Sequence, residues 1–118
     1  MKMKILLIDD NKFIRDSFSE RLKNYKYEVI SAKDGEEAID KIAADDFDVV
    51  ITDIRMPKVN GIEVLKFTKK NKLKTKVIMM SAYLDQEVIN EVMKLGAYKY
   101  IGKSSFLKDI VGILDKIT

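Results

Sequence analysis

Asp9 and Asp10 follow the apolar run Ile5-Leu6-Leu7-Ile8, Asp53 follows Val49-Val50-Ile51 by one residue, Ser81 follows Val77-Ile78-Met79-Met80, and Lys103 closely follows Tyr98-Lys99-Tyr100-Ile101. Each polar group stands where a short strand-like segment ends. The run Glu28-Val29-Ile30 ends on nothing comparable. Three carboxylates gathered in one crevice repel one another. Unit charges ~4 Å apart at an effective dielectric of ~20 interact by about 4 kcal/mol, so such a cluster needs a cation or bound protons. Mg²⁺ suits it, being a hard ion that binds through one or two carboxylates while keeping waters and a phosphate oxygen, with Mn²⁺ as its substitute. Ca²⁺ fits less well, because the acidic stretch Asp45-Asp46-Phe47-Asp48 lacks the Gly and distal Glu of an EF-hand loop.

A carboxylate held beside Mg²⁺ can attack a phosphoryl group and form an aspartyl phosphate, and Asp53 is the expected nucleophile. A hydroxyl at Ser81 could donate to the bound phosphoryl, and the Lys103 ammonium could pair with it as a compact charge. Taken singly, each residue has a plainer use. Asp10 or Asn11 can cap the next helix, Ser81 can be a local cap, and one Lys among many can be solvated. The five together are far more specific. Other chemistry is excluded by type: the chain has no Cys and no His, so thiol nucleophiles, Ser-His-Asp triads, imidazole ligands and phosphohistidine are all absent.

The elements that must position these groups are legible from periodicity. Five short apolar runs alternate with longer segments of helical spacing, giving a βα unit five times over. Ile14, Phe18 and Leu22 mark one helical stripe, Ala38 and Ile42 a second, Val88, Val92 and Leu95 another, and Leu107, Ile110, Leu114 and Ile117 the last. Asn11, Asp34, Asp85 and Ser105 are placed to cap helix starts, Asn60-Gly61 marks a turn before the third helix, and Gly96 can end the fourth in a left-handed conformation. Strands apolar on both faces between amphipathic helices imply a doubly wound α/β fold, with a mostly parallel sheet covered by helices on both sides. Ligands of such sheets bind beyond the carboxyl ends of the strands, where strand order reverses.

Composition sets the frame. At 118 residues, with 47% hydrophobic and 35% charged residues, the chain has the length and balance of one globular domain, expected over residues 1–118. Its longest aliphatic runs fall far short of the ~20 residues that span a bilayer, and Met1-Lys2-Met3-Lys4 leads straight into a strand rather than a secretory segment. A cytoplasmic location is expected, with no membrane partner. The net charge of +3 gathers partly in Lys66, Lys69, Lys70, Lys72, Lys74 and Lys76, a run read as a solvated helix end and loop rather than a nucleic-acid surface.

On Leu7-Ile8-Asp9-Asp10, Thr52-Asp53-Ile54-Arg55-Met56-Pro57 with Asn60-Gly61, Met80-Ser81-Ala82, Gly96-Ala97 and Tyr100-Ile101-Gly102-Lys103, the chain resembles the receiver domains of two-component response regulators, of the chemotaxis and sporulation phosphorelay type. The match spans essentially the whole chain. It implies a flavodoxin-like, three-layer (βα)5 fold of strand order 2-1-3-4-5, phosphorylated on Asp53 by a histidine kinase or phosphotransfer protein. By the same resemblance, Asp10, Asp53 and the backbone carbonyl of Arg55 ligate Mg²⁺, with Asp9 acting mainly through water. Ser81 and Tyr100 form the switch, the hydroxyl moving toward the phosphoryl and the ring turning inward behind it. Arg55 and Tyr83 fall where the lifetime of the phosphoryl group is tuned, and their size predicts slow self-hydrolysis. Output is expected through the face of the fourth helix, fifth strand and fifth helix, to a protein target or another copy of the chain.

The sequence departs from this pattern at Ser104, where the family has a Pro after the Lys, typically through a cis bond. A cis bond to Ser costs ~2.5–4 kcal/mol, so the loop is expected to be trans or strained, which bears on the resting position of Lys103. Two rivals compete with the receiver. A Mg²⁺-dependent phosphohydrolase resembling the haloacid dehalogenases would place an acid-base Asp two residues after the nucleophile, where this chain has Arg55. A docking module that is never phosphorylated would not need the five pocket residues it keeps.

Overall fold

The computed structural model describes residues 3–83 and 85–117. Met1 and Lys2, expected to lead into the first strand, lie outside the described residues. Five strands, β1 (Lys4–Ile8), β2 (Glu28–Ala32), β3 (Val49–Asp53), β4 (Lys76–Ser81) and β5 (Lys99–Gly102), alternate with five helices. These are α1 (Lys12–Asn24), α2 (Gly35–Ala44), α3 (Gly61–Asn71), α4 (Gln86–Lys94) and α5 (Phe106–Asp115), the last preceded by a 3₁₀ turn at Lys103–Ser105.

The strands pair in parallel in the order β2-β1-β3-β4-β5, so the order implied by the resemblance holds. Alternation along each strand feeds two cores. Leu6, Ile8, Val50, Val77 and Met79 face α2, α3 and α4, through Ala38, Ile42, Val64, Leu65 and Val92. Ile5, Leu7, Val49, Ile51, Ile78 and Met80 face α1 and α5, through Phe18, Leu22, Phe106, Ile110 and Leu114. Central strands buried on both sides hold the ends of β1 and β3 rigidly side by side. The chain leaves β1 in one direction to form β2 and returns to its other side to form β3, which opens the crevice at their carboxyl ends.

Punctuation follows the sequence closely. Asn11, Asp34, Asn60 and Asp85 each accept a backbone N–H of the first helical turn, and Gly96 takes φ +105° just past α4. Ser105 precedes α5 without a side-chain cap bond. Two further expectations need correction. Leu107 is 44% exposed, and the α5 stripe instead starts at Phe106, whose ring stacks on Phe18 at a centroid distance of 3.9 Å. The lysine run is not uniformly solvated. Lys69 donates to the carbonyls of Leu73 and Thr75, closing the turn into β4, and burial followed by repulsion from Lys76 holds its pKa down. Lys72 pairs with Asp46 at 2.6 Å. Among the described residues no helix is long and apolar enough to cross a membrane.

Candidate functional site

β1 delivers Asp9 and Asp10 to the crevice, β3 delivers Asp53, β4 delivers Ser81, and the end of β5 delivers Lys103. The three acids each offer one carboxylate oxygen to a cluster whose atoms lie within 4.8 Å of one another. Asp9 is fully buried, Asp53 is 5% exposed and Asp10 faces solvent. The Lys103 ammonium reaches across from the far side. It donates to Asp53 Oδ2 at 2.9 Å and lies 2.7 Å from Asp9 Oδ2. The Lys103 ammonium is thus the charge partner of both buried carboxylates, and among the described residues Asp9 Oδ2 has no other partner.

Backbone geometry explains why the acids stay together. Asp9 N–H donates to the Ala32 carbonyl at 3.3 Å, and Asp9 Oδ1 accepts Asn11 N–H at 2.9 Å. Asp53 ends β3, where Ile54 N–H reaches Met80 O at 3.0 Å and the Thr52 hydroxyl donates to Asp53 O at 2.9 Å. Two residues passed over in the sequence as chemistry also touch the site. Arg15 Nη1 donates to the Asp9 carbonyl at 2.8 Å. Gly61, read only as a turn residue, packs so closely that a Cβ there would fall 2.0 Å from Asp53 O. Neither contact follows from residue type or spacing, because each depends on how two segments approach in space.

Burial raises the Asp53 pKa above the ordinary carboxylate value, Lys103 lowers it in part, and Asp9 and Asp10 raise it further. Burial alone would lower the pKa of Lys103, but Asp9 and Asp53 outweigh it and hold the ammonium firmly charged. The donor set is three carboxylates, two of them buried, with a single ammonium against them. It fits a hard dication.

Behind the acids, Ser81 is buried and its Oγ accepts Tyr83 N–H at 3.1 Å. The Tyr100 hydroxyl donates to Tyr83 O at 3.0 Å, so Ser81 and Tyr100 hold the main chain of Tyr83, in the β4–α4 loop, at its N–H and its carbonyl. The Tyr100 ring is half-buried against the core shared by α2, α3 and α4. Arg55 is exposed, with its guanidinium 5.9 Å from the centroid of the exposed Tyr83 ring. Asp9, Asp10, Asp53, Ser81 and Lys103 thus meet at the crevice, Arg55 and Tyr83 lie in the loops after β3 and β4, and Tyr100 stands apart within β5, its ring on the core and only its hydroxyl reaching the Tyr83 carbonyl. No peptide bond among the described residues is cis, so the Lys103–Ser104 bond is trans, and Lys103 still reaches both acids.

A five-stranded parallel sheet of this order, with an acidic crevice at the carboxyl ends of β1 and β3 and a lysine after β5, defines a class that comparison with known proteins identifies. The family model of the response regulator receiver domain matches residues 5–115, and the chain belongs to this family. It is 33% identical to the chemotaxis protein CheY of Thermotoga maritima, over all of this chain and 99% of that one. It is 36% identical to the alkaline phosphatase synthesis transcriptional regulatory protein PhoP of Bacillus subtilis, over 87% of this chain but 43% of that one. The chain thus spans about half or less of several curated relatives and nearly all of others. Among solved structures, the response regulator protein TrrA of Thermotoga maritima in complex with Mg²⁺-BeF superposes with a TM-score of 0.89 at 33% identity, with both chains fully covered. Receiver domains bind Mg²⁺ at an acidic pocket, are phosphorylated by histidine kinases or phosphotransfer proteins, and serve as signalling domains rather than enzymes in the usual sense.

Proposed function

We propose that residues 1–118 form a receiver that accepts a phosphoryl group on Asp53 in a Mg²⁺-dependent reaction and reports it through phosphorylation-dependent protein contact. The observation that carries this is the convergence of Asp9, Asp10 and Asp53 within 4.8 Å, bridged by Lys103. The mutual repulsion of the acids and the upward push on Asp53 make the crevice a poor place for three negative charges alone and a good one for a dication. Asp10, Asp53 and the Arg55 carbonyl would hold the ion, with Asp9 acting through water. Mn²⁺ would serve in its place. When bound, the metal supplies positive charge against the equatorial oxygens of the transferring phosphoryl group.

The remaining steps belong to the chain. Asp53 offers an oxygen to phosphorus as the bond from phosphorus to the donor's imidazole nitrogen breaks and the imidazole leaves, and Lys103, already within hydrogen-bond reach, moves its charge from carboxylate to phosphoryl. The Ser81 hydroxyl is an acceptor toward Tyr83 N–H, so its own proton remains free to donate to the phosphoryl. Drawing Ser81 forward strains its bond to Tyr83, the same residue whose carbonyl Tyr100 holds, and this links the pocket to the switch ring. Arg55 and Tyr83 shield the phosphoryl from water and slow its loss. The altered face is that of α4, β5 and α5, offered to a downstream protein or a second copy in the cytoplasm. The phosphoryl comes from a histidine kinase or phosphotransfer protein, a reading supported by the relative named sporulation initiation phosphotransferase F and by CheY.

Incubation with acetyl phosphate and Mg²⁺ tests this. The wild type should acquire one acid-stable, hydroxylamine-sensitive phosphoryl group, and Asp53→Asn should acquire none. Equal labelling of the variant would move the acceptor elsewhere, and sustained phosphate release from a simple ester would favour a phosphohydrolase.

A further inference from the structure

α1 begins with an electrostatic anomaly. The N-terminal end of a helix carries partial positive charge and favours acids, yet the first turn of α1 contains none, and Lys12 and Arg15 stand there instead. Cations at that position cost helix stability, so their placement calls for a compensating partner. Arg15 has one: its Nη1 donates to the main-chain carbonyl of Asp9 at 2.8 Å, across the turn that joins β1 to α1. Asp9 lies one residue past the end of β1 and carries the most buried carboxylate of the crevice. Four contacts then grip one residue. β2 takes its N–H through Ala32, α1 takes its carbonyl through Arg15, the helix cap supplies Asn11 N–H to Oδ1, and the end of β5 sets Lys103 beside Oδ2.

We infer that Arg15 is a positioning residue for the cation site, holding the Asp9 peptide so that the carboxylates of Asp9 and Asp10 stay aimed into the crevice. The inference rests on the reading of that crevice as a Mg²⁺ site. It also has a distinctive sign. Were Arg15 only a nearby positive charge, removing it would strengthen the attraction of the acids for Mg²⁺. As a positioning residue its loss must do the reverse, because a carboxylate free to rotate forfeits preorganised ligand geometry. Loss of a partner that orients a metal ligand typically weakens binding by about 10–100-fold.

The test is a Mg²⁺ titration of the whole chain, followed by amide chemical shifts, for wild type, Arg15→Ala and Arg15→Lys. Arg21→Ala serves as control, because Arg21 lies later in α1 and stacks on Tyr25. Arg15→Ala should raise the Mg²⁺ dissociation constant about tenfold. Arg15→Lys, which keeps the charge but not the planar fork, should fall between the two, and Arg21→Ala should match wild type. Amide exchange of the metal-free proteins gives a second readout: Arg15→Ala should speed exchange at Asn11 while leaving Leu6 and Leu7 in β1 protected, which separates a loosened turn from a damaged fold. Unchanged or tighter Mg²⁺ binding by Arg15→Ala, beside normal binding by wild type, would overturn the positioning role alone. A wild type that binds no Mg²⁺ would overturn the metal reading and this inference with it.

Discussion

Asp53 pays for its position, and the cost is measurable without any ligand. Burial first, and then Asp9 and Asp10, raise its pKa above the ordinary 3.8, with Lys103 offsetting only part. A carboxyl whose folded pKa exceeds its unfolded value contributes stability that is complete below the unfolded pKa and is lost as pH rises through the folded one. Metal-free Asp53→Asn should therefore be more stable than wild type at neutral pH, with the gap closing as pH falls toward the unfolded value. Added Mg²⁺ should stabilise wild type more than the variant. Thermal unfolding across pH with and without Mg²⁺ checks this, and a variant less stable than wild type at pH 7 would show that the Lys103 bridge outweighs the repulsion. The acids, Ser81 and Lys103 are legible in the sequence because type and strand-end position suffice to nominate them. Arg15 is not, since an arginine six residues beyond Asp9 has no signature until the turn folds it back onto a carbonyl.

At the scale of elements, two glycines make opposite predictions. Gly112 lies on the exposed side of α5, where an added Cβ would meet nothing within 4 Å, and it carries only the entropic penalty of glycine in a helix. Gly112→Ala should stabilise the protein by about 0.5–1 kcal/mol without altering Mg²⁺ binding. Gly61 opens α3 where a Cβ would collide with Asp53 O at 2.0 Å and with Ile54 Cα at 2.9 Å, both main-chain atoms that cannot swing aside. Gly61→Ala should cost more than about 2 kcal/mol and weaken Mg²⁺ binding, because the backbone that must yield carries Asp53 itself. Chemical denaturation and Mg²⁺ titration of both variants decide; a Gly61→Ala protein of normal stability and affinity would show that the α3 start can retreat. Stripes of apolar residues find four of the five helices, the third being placed by its Asn60-Gly61 turn, but they misplace the α5 stripe. Leu107 and Phe106 both suit helical spacing to Ile110, and only the Phe18 ring waiting across the core selects Phe106. β3 runs two residues beyond its apolar run, because Thr52 and Asp53 continue the ladder while being polar.

For the whole molecule, the alternation of runs dictates a parallel sheet with two covered faces, while the order of its strands comes from the resemblance, since periodicity does not say which strand returns to which side. That order makes the crevice a meeting point of four strands' ends, so a ligand bound there would lie beside Ser81 at the end of β4 and Lys103 after β5 at once. Mg²⁺ with beryllofluoride, bound at 100 times its dissociation constant, should stabilise the fold by about 2.7 kcal/mol and raise the unfolding temperature by on the order of 10 °C. The two routes outward differ. On the proposed function, Ser81 would act through Tyr83, which it holds in the loop before α4, and Lys103 through the 3₁₀ turn that leads into α5. Removing Lys103 leaves the acids and Ser81 able to hold the complex, but it cuts the second route and leaves Asp9 and Asp53 without their bridge. Lys103→Ala should therefore still bind Mg²⁺ and beryllofluoride, while amide shifts at Tyr100 and in α5 shrink toward those of the free protein, as expected when a coupling of about 1–3 kcal/mol is lost from a two-state equilibrium. Full-sized shifts in that variant would mean that Ser81 and Tyr83 alone carry the signal across the sheet.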